Sequence, residues 1–111
     1  MAAANRKGHA MKPSMWTSYL IEQTPEEMAT SFVSRGWRWA ELSDEHGRTL
    51  LQRGDPAATG AAFHRFAADL GLALEQGHLL LMADIAHPDV AERARIVDSL
   101  KRWCDLFAAV G

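Results

Sequence analysis

The sequence predicts an α/β fold of parallel βα units, and three observations predict it. Pro25, Pro56 and Pro88 stand 31 and 32 residues apart in the 111-residue chain. Each opens a stretch of helical periodicity, where its fixed φ and missing N–H suit the first turn. Each also follows an apolar, strand-like run. A strand, a loop, a helix and a return loop take about 30 residues. Eight such units make about 250 residues, the usual size of a (β/α)8 barrel. The chain therefore reads as a parallel βαβαβα, the first three units of such a barrel. Residues 1–13 read as a disordered leader and residues 14–111 as the partial barrel domain.

The first strand is expected over residues 16–21, which are bulky and partly aromatic or β-branched. Thr24 then caps a helix, with Pro25 first and Glu27 three residues after the cap, the pattern of a capping box. Met28, Ala29, Phe32 and Val33 share one face, and Gly36 closes the helix. The second strand is expected over residues 37–42. Trp37, Trp39 and Glu41 fall on one side and Arg38, Ala40 and Leu42 on the other. Residues 43–48 read as a polar loop, and residues 49–53 add a short turn.

Asp55-Pro56 starts the second helix. Phe63, Phe66, Ala67 and Leu70 make its stripe, and Gly71 its stop. The third strand lies within residues 72–82, centred on 74–79. The third helix runs from Pro88 or Asp89 towards Val110. Val90, Ala94, Val97, Leu100, Cys104 and Phe107 are its expected inner face. Right-handed crossovers then place the strands in parallel, in the order 1-2-3.

Composition narrows the function classes. The net charge of −2 gives no pull towards nucleic acid or an anionic membrane. The expected carboxyl rim of the sheet carries Glu22, Glu41, Asp44, Glu45 and Asp84, which disfavours phosphate backbones. No run approaches the roughly 18 apolar residues of a membrane span. The N-terminus lacks the apolar core of a signal peptide, so the expected location is cytoplasmic. Cys104 is the single cysteine and is expected to pack. The first βα loop, Ile21-Glu22-Gln23-Thr24, has no glycine, so neither G-x-G-x-x-G nor a P-loop is present.

Function in a parallel α/β sheet sits at the carboxyl ends of the strands. Glu41 ends a strand face shared with two tryptophans, where a carboxylate is costly unless paired or solvated. It is a candidate base or substrate contact, or else half of a structural ion pair. His78 follows Gly77, which allows close approach of another group to the backbone. It is a candidate catalytic or metal-ligating residue, or else a satisfied core histidine. His46, Asp84 and His87 are candidate substrate contacts. His46 also fits a solvated loop, and His87 also fits a helix start beside Pro88. His64 reads as a surface histidine.

Three segments carry a resemblance. They are Gly36-Trp37-Arg38-Trp39-Ala40-Glu41-Leu42-Ser43, Gln76-Gly77-His78-Leu79 and Ala83-Asp84-Ile85-Ala86-His87-Pro88. With them, the run from Ser18 to Val110 resembles the N-terminal portion of xylose isomerase-like barrels, the sugar phosphate isomerase/epimerase family. The resemblance implies metal-assisted proton transfer on a sugar or cyclitol, with Mn, Mg or Zn as cofactor. It implies Glu41 and His78 in the substrate pocket. In the related endonuclease IV branch a histidine at the end of strand three ligates metal, and His78 alone matches it. Most ligands of the sugar branch come from later strands, so this chain alone is expected to show little or no turnover, and the metal is expected in the full-length family rather than necessarily in this fragment. Two readings stand: an isomerase or epimerase half-site, and a non-catalytic fragment that self-associates through exposed sheet edges. An endonuclease IV-like phosphodiesterase is a lesser third.

Overall fold

A computed structural model describes residues 10–111 as an α/β arrangement of three parallel strands and four α-helices. The leader expected over residues 1–13 lies mostly outside the described residues. Residues 10–14 have no regular structure. Lys12 nonetheless sits on the sheet, with Nζ 3.0 Å from Glu75 Oε1 and 5.7 Å from the Trp39 ring centroid.

Strand β1 is Met15–Trp16, much shorter than expected. The reason is Thr17. It is fully buried, and its Oγ1 accepts the Ser43 N–H at 2.8 Å, where a continuing strand would offer a carbonyl. The chain leaves the sheet there as a 3-10 turn, Thr17–Leu20. Helix α1 is Pro25–Ser34. The expected capping box is formed: Thr24 Oγ1 accepts the Glu27 N–H at 3.2 Å, and Glu27 accepts the Thr24 N–H at 2.9 Å.

Strand β2, Trp39–Leu42, alternates as a one-sided strand does. Ala40 and Leu42 are buried, while Trp39 and Glu41 are half-buried. Strand β3 is Ala73–Gly77. The sheet order is β1-β2-β3, all parallel, with Trp16 opposite Glu41 and Glu41 opposite Gln76. The register between β2 and β3 shifts by one between Trp39 and Glu41. This bulge leaves both Glu75 and Gln76 exposed.

The segment after β2 corrects the expected polar loop. It is a helix, α2, Asp44–Leu51. The Ser43 side chain accepts the His46 N–H, and Asp44 and Glu45 fill the first turn, where the helix dipole favours an ionised carboxylate such as Glu45. Helix α3, Pro56–Leu70, begins at Asp55, which accepts the Ala58 N–H at 2.8 Å, and ends at Gly71 with φ +84°. Helix α4, Val90–Val110, is capped by Asp89.

One core holds these elements. Met28, Phe32, Leu42, Leu50, Phe63 and Leu106 are its larger members, so α1, α2, α3 and α4 share a core with the Ala40/Leu42 face of the sheet. The expected inner face of α4 is corrected. Trp103, Leu106 and Val110 are buried, whereas Val90 and Val97 are 69% and 41% exposed, and Cys104 is exposed. Only the C-terminal half of the helix meets the core, and its buried stripe there is set by Trp103 rather than by Cys104. No helix among the described residues is long and apolar enough to cross a membrane.

Close approach explains two glycines. A Cβ on Gly60 would lie 2.6 Å from the Leu106 carbonyl oxygen, so α3 and α4 meet backbone to backbone there. A Cβ on Gly77 would overlap the Phe107 ring. Gly77→Ala is expected to cost about 1–3 kcal/mol through overpacking. Urea unfolding checks this, and a smaller ring position, Phe107→Leu, should recover part of the loss in the double variant.

Candidate functional site

Glu41 and His78 meet on the uncovered face of the sheet. Glu41 is the third residue of β2, where alternation turns it away from the helices. His78 lies one residue beyond β3, and its N–H donates to the Leu42 carbonyl at 2.9 Å, which continues the ladder. His78 Nε2 then stands 2.6 Å from Glu41 Oε1. The contact is an ion pair when the imidazole is protonated. Among the described residues no protein group hydrogen-bonds His78 Nδ1. The two side chains are 29% (Glu41) and 39% (His78) exposed, enough for a small molecule to reach them.

Trp16 completes the group. Its ring centroid is 5.7 Å from that of His78, tilted by 59°. Beside this cluster on the same face, Ala10, Lys12, Ser14, Trp39, Glu75 and Gln76 surround a recess of about 320 Å³. Neither Trp16 nor Lys12 was singled out from the sequence. Trp16 is opposite Glu41 in the register, a relation visible only once the strands are paired.

The other candidates lie elsewhere. His46 is buried, and protein groups occupy both ring nitrogens. Its Nε2 donates to the Gln23 carbonyl at 3.1 Å, because a carbonyl can only accept. Nδ1 is then the acceptor. Thr17 Oγ1 at 3.0 Å and Ser43 Oγ at 3.1 Å both flank it. His46 therefore ties the end of β1, the first βα loop and the start of α2 together, and it has no free nitrogen for a substrate. Asp84 and His87 serve their own turn. Asp84 Oδ1 accepts the Ala86 N–H at 3.1 Å, and His87 Nδ1 accepts the Asp89 N–H at 3.1 Å, next to the start of α4. His64 Nδ1 donates to the Val110 carbonyl at 2.7 Å and so caps the C-terminus of α4.

Among the described residues no three His, Cys, Asp or Glu side chains converge as a metal site. Glu41 and His78 supply two donors, one short of a minimal protein set. An imidazole beside a carboxylate is a pairing that can move protons near neutral pH. No protein-family model, no curated protein and no solved structure matches this chain.

His46 makes stability depend on pH. Burial holds its pKa below the ordinary 6.5. The unfolded chain takes up a proton below pH 6.5 while the folded ring stays neutral, so stability falls as pH drops from 6.5 towards the folded value. Thermal unfolding between pH 7.5 and 5 should show that loss. His46→Gln should be less stable at pH 7.5 yet show a shallower fall than the parent chain, since it has no ring to protonate.

Proposed function

We propose that the Glu41–His78 pair is the acid–base element of a proton-transfer site for a sugar-like carbonyl compound, in a sheet of the (β/α)8 type. The 2.6 Å contact between these side chains, at the carboxyl ends of adjacent parallel strands, carries the reading. His78 Nδ1 takes a proton from the carbon next to the substrate carbonyl, and Glu41 holds the ring and balances the imidazolium that forms. The same nitrogen returns the proton to the former carbonyl carbon of the enediol, while water carries a proton from the substrate hydroxyl to the former carbonyl oxygen, which isomerises the compound. Epimerisation takes delivery from water to the opposite face of the first carbon, with the imidazolium proton passing to solvent. The tryptophan beside His78 offers a flat apolar surface to a sugar ring. The three segments that resemble the sugar phosphate isomerase/epimerase family support the same substrate class.

A divalent metal, if bound, would polarise the substrate carbonyl. Two donors do not fit it, so no step here runs through one. The open face also keeps water in the site, which weakens any electrostatic stabilisation. Turnover by the 111-residue chain is therefore expected to be slow.

The test is deuterium incorporation next to the carbonyl of ketoses and aldoses in D₂O, followed by proton NMR over hours. Slow incorporation above the buffer rate is expected, with at least a tenfold loss in Glu41→Gln and in His78→Gln. Incorporation at the buffer rate, or unchanged in both variants, overturns the proposal. Fast metal-dependent turnover by a monomer overturns the open-site part of it.

A second reading rests on the sheet itself. β1 and β3 are edge strands, and Trp16, at 37% exposure, lies on the uncovered face. In it, the chain is an α/β module that pairs with another copy through an edge or that face. Light scattering across a concentration series distinguishes a lone monomer from such an assembly.

A further inference from the structure

Two oxygens in the first turn of α2 stand out. Asp44 Oδ1 and Glu45 Oε2 are both buried and have no hydrogen-bond donor among the described residues. Asp44 as a whole is only 7% exposed. Burying one unsatisfied carboxylate oxygen is costly, and burying two on neighbouring residues is worse through mutual repulsion. The two side chains face one another. One proton placed between them removes both problems.

We propose that Asp44 is protonated in the native fold and donates its carboxyl O–H to Glu45, so that the β2–α2 turn is built around one buried, titratable proton.

The neighbouring hydrogens are consistent with this. Ser43 N–H goes to Thr17 Oγ1, and His46 N–H goes to Ser43 Oγ. His46 Nδ1 has a single lone pair, so only one of the two flanking hydroxyls can donate to it. With Thr17 as that donor, the Ser43 hydroxyl hydrogen is free for Glu45. Glu45 then accepts from Ser43 and from Asp44 and remains the ionised member. Burial, followed by the charge of Glu45, pushes the Asp44 carboxyl above its ordinary 3.8. Burial opposes ionisation of Glu45 as well, but its own backbone N–H, Ser43 and Asp44 outweigh it and hold it below 4.5.

The other charged and titratable groups near the pair are few. Arg48, on the next turn of α2, has Nη2 3.7 Å from Asp44 Oδ2, a loose contact on a half-exposed side chain. His46 is neutral, as argued above. The 3-10 turn brings the uncharged Thr17 hydroxyl. In α1, Glu26 is occupied by Arg53. α4 meets α2 through the Trp103 and Phe107 rings at Gly47. Among the described residues no ion pair reaches Asp44 or Glu45 from α1, α3 or α4.

The consequence is a pH-sensitive joint. The unfolded chain loses the Asp44 proton near pH 3.8, while the folded chain keeps it to higher pH. Stability from this group therefore falls as pH rises from 3.8 through the folded value. Once the proton leaves, two like charges share the turn. That turn starts one residue after Leu42, whose carbonyl holds the His78 backbone, so the candidate site lies directly downstream of it.

Two measurements test this on the whole chain. In the first, carboxyl carbon NMR follows Asp44 as pH is raised. Its inflection should lie above 3.8 in the parent chain and move back towards that value in Glu45→Gln, whose amide N–H can donate to an ionised Asp44. In the second, Asp44→Asn supplies an amide N–H to Glu45 at every pH. The melting temperature of the parent minus that of this variant should fall steadily as pH rises from 4 to 8, a difference in which the His46 contribution cancels. An Asp44 inflection at or below 3.8 in the parent chain overturns the proposal. So does a melting-temperature difference that stays flat with pH. If Asp44→Asn does not fold, the NMR titrations of the parent and of Glu45→Gln decide the matter.

Discussion

The buried hydrogen bonds around His46 are the constraint on which the sheet depends. Thr17 ends β1, Gln23 belongs to the first βα loop, and Ser43 starts α2, and all three bond to one imidazole or through it. A parallel sheet has no tight turns to hold its register, because successive strands are joined across a helix. Side-chain bonds between loops at the carboxyl edge supply what a hairpin turn supplies elsewhere. A neutral imidazole suits this role because it has one donor and one acceptor at fixed positions on a rigid ring. Swapping it for an apolar side chain would take the imidazole partner from the Gln23 carbonyl and leave the Thr17 hydroxyl only its bond from the Ser43 N–H.

The one-sided cover of the sheet follows from the same economy of elements. Four helices share one core with the Ala40/Leu42 face. Alternation along β2 then sends Trp39 and Glu41 to the other side. The bulge between β2 and β3 turns Gln76 to the open side and puts Gly77 under Phe107. A side chain at Gly77 would push α4 away. The next residue, His78, is thus held at a fixed height above the sheet, within reach of Glu41. Packing beneath the sheet and polar contact above it are two faces of a single register.

Much of this was legible in the sequence. The even Xaa-Pro steps located α1, α3 and the neighbourhood of α4, because caps and proline act locally and need no tertiary information. Glu41 and His78 were identifiable as polar residues at strand ends. The role of Gly77 was visible as a place of close approach. Three features were not legible. α2 was hidden because Ser43-Asp44-Glu45-His46-Gly47-Arg48 has no apolar stripe until Leu50, and its signal was the serine cap with acids in the first turn. β1 was cut short by the bond from Ser43 to Thr17, a contact across 26 positions. The buried stripe of α4 was misphased because Val90, Ala94, Val97 and Cys104 form a regular apolar line that the fold leaves in water. Periodicity identifies a helix, but it does not say which of two apolar faces the rest of the chain will cover.

The division of α4 has a dynamic consequence. Its final turns carry Trp103, Leu106 and Val110 in the core, and His64 closes the Val110 carbonyl. Its first turns rest on the Asp89 cap, on Arg93 bonded to the His87 carbonyl, and on the exposed Arg95–Glu92 pair within the helix. Local pairs of that kind add only about 0.2–0.5 kcal/mol each. One continuous helix therefore contains two levels of protection. Amide hydrogens near its C-terminus exchange only when the whole domain opens, while those near its N-terminus exchange through fraying that leaves the sheet, the His46 bonds and the Glu41–His78 contact in place.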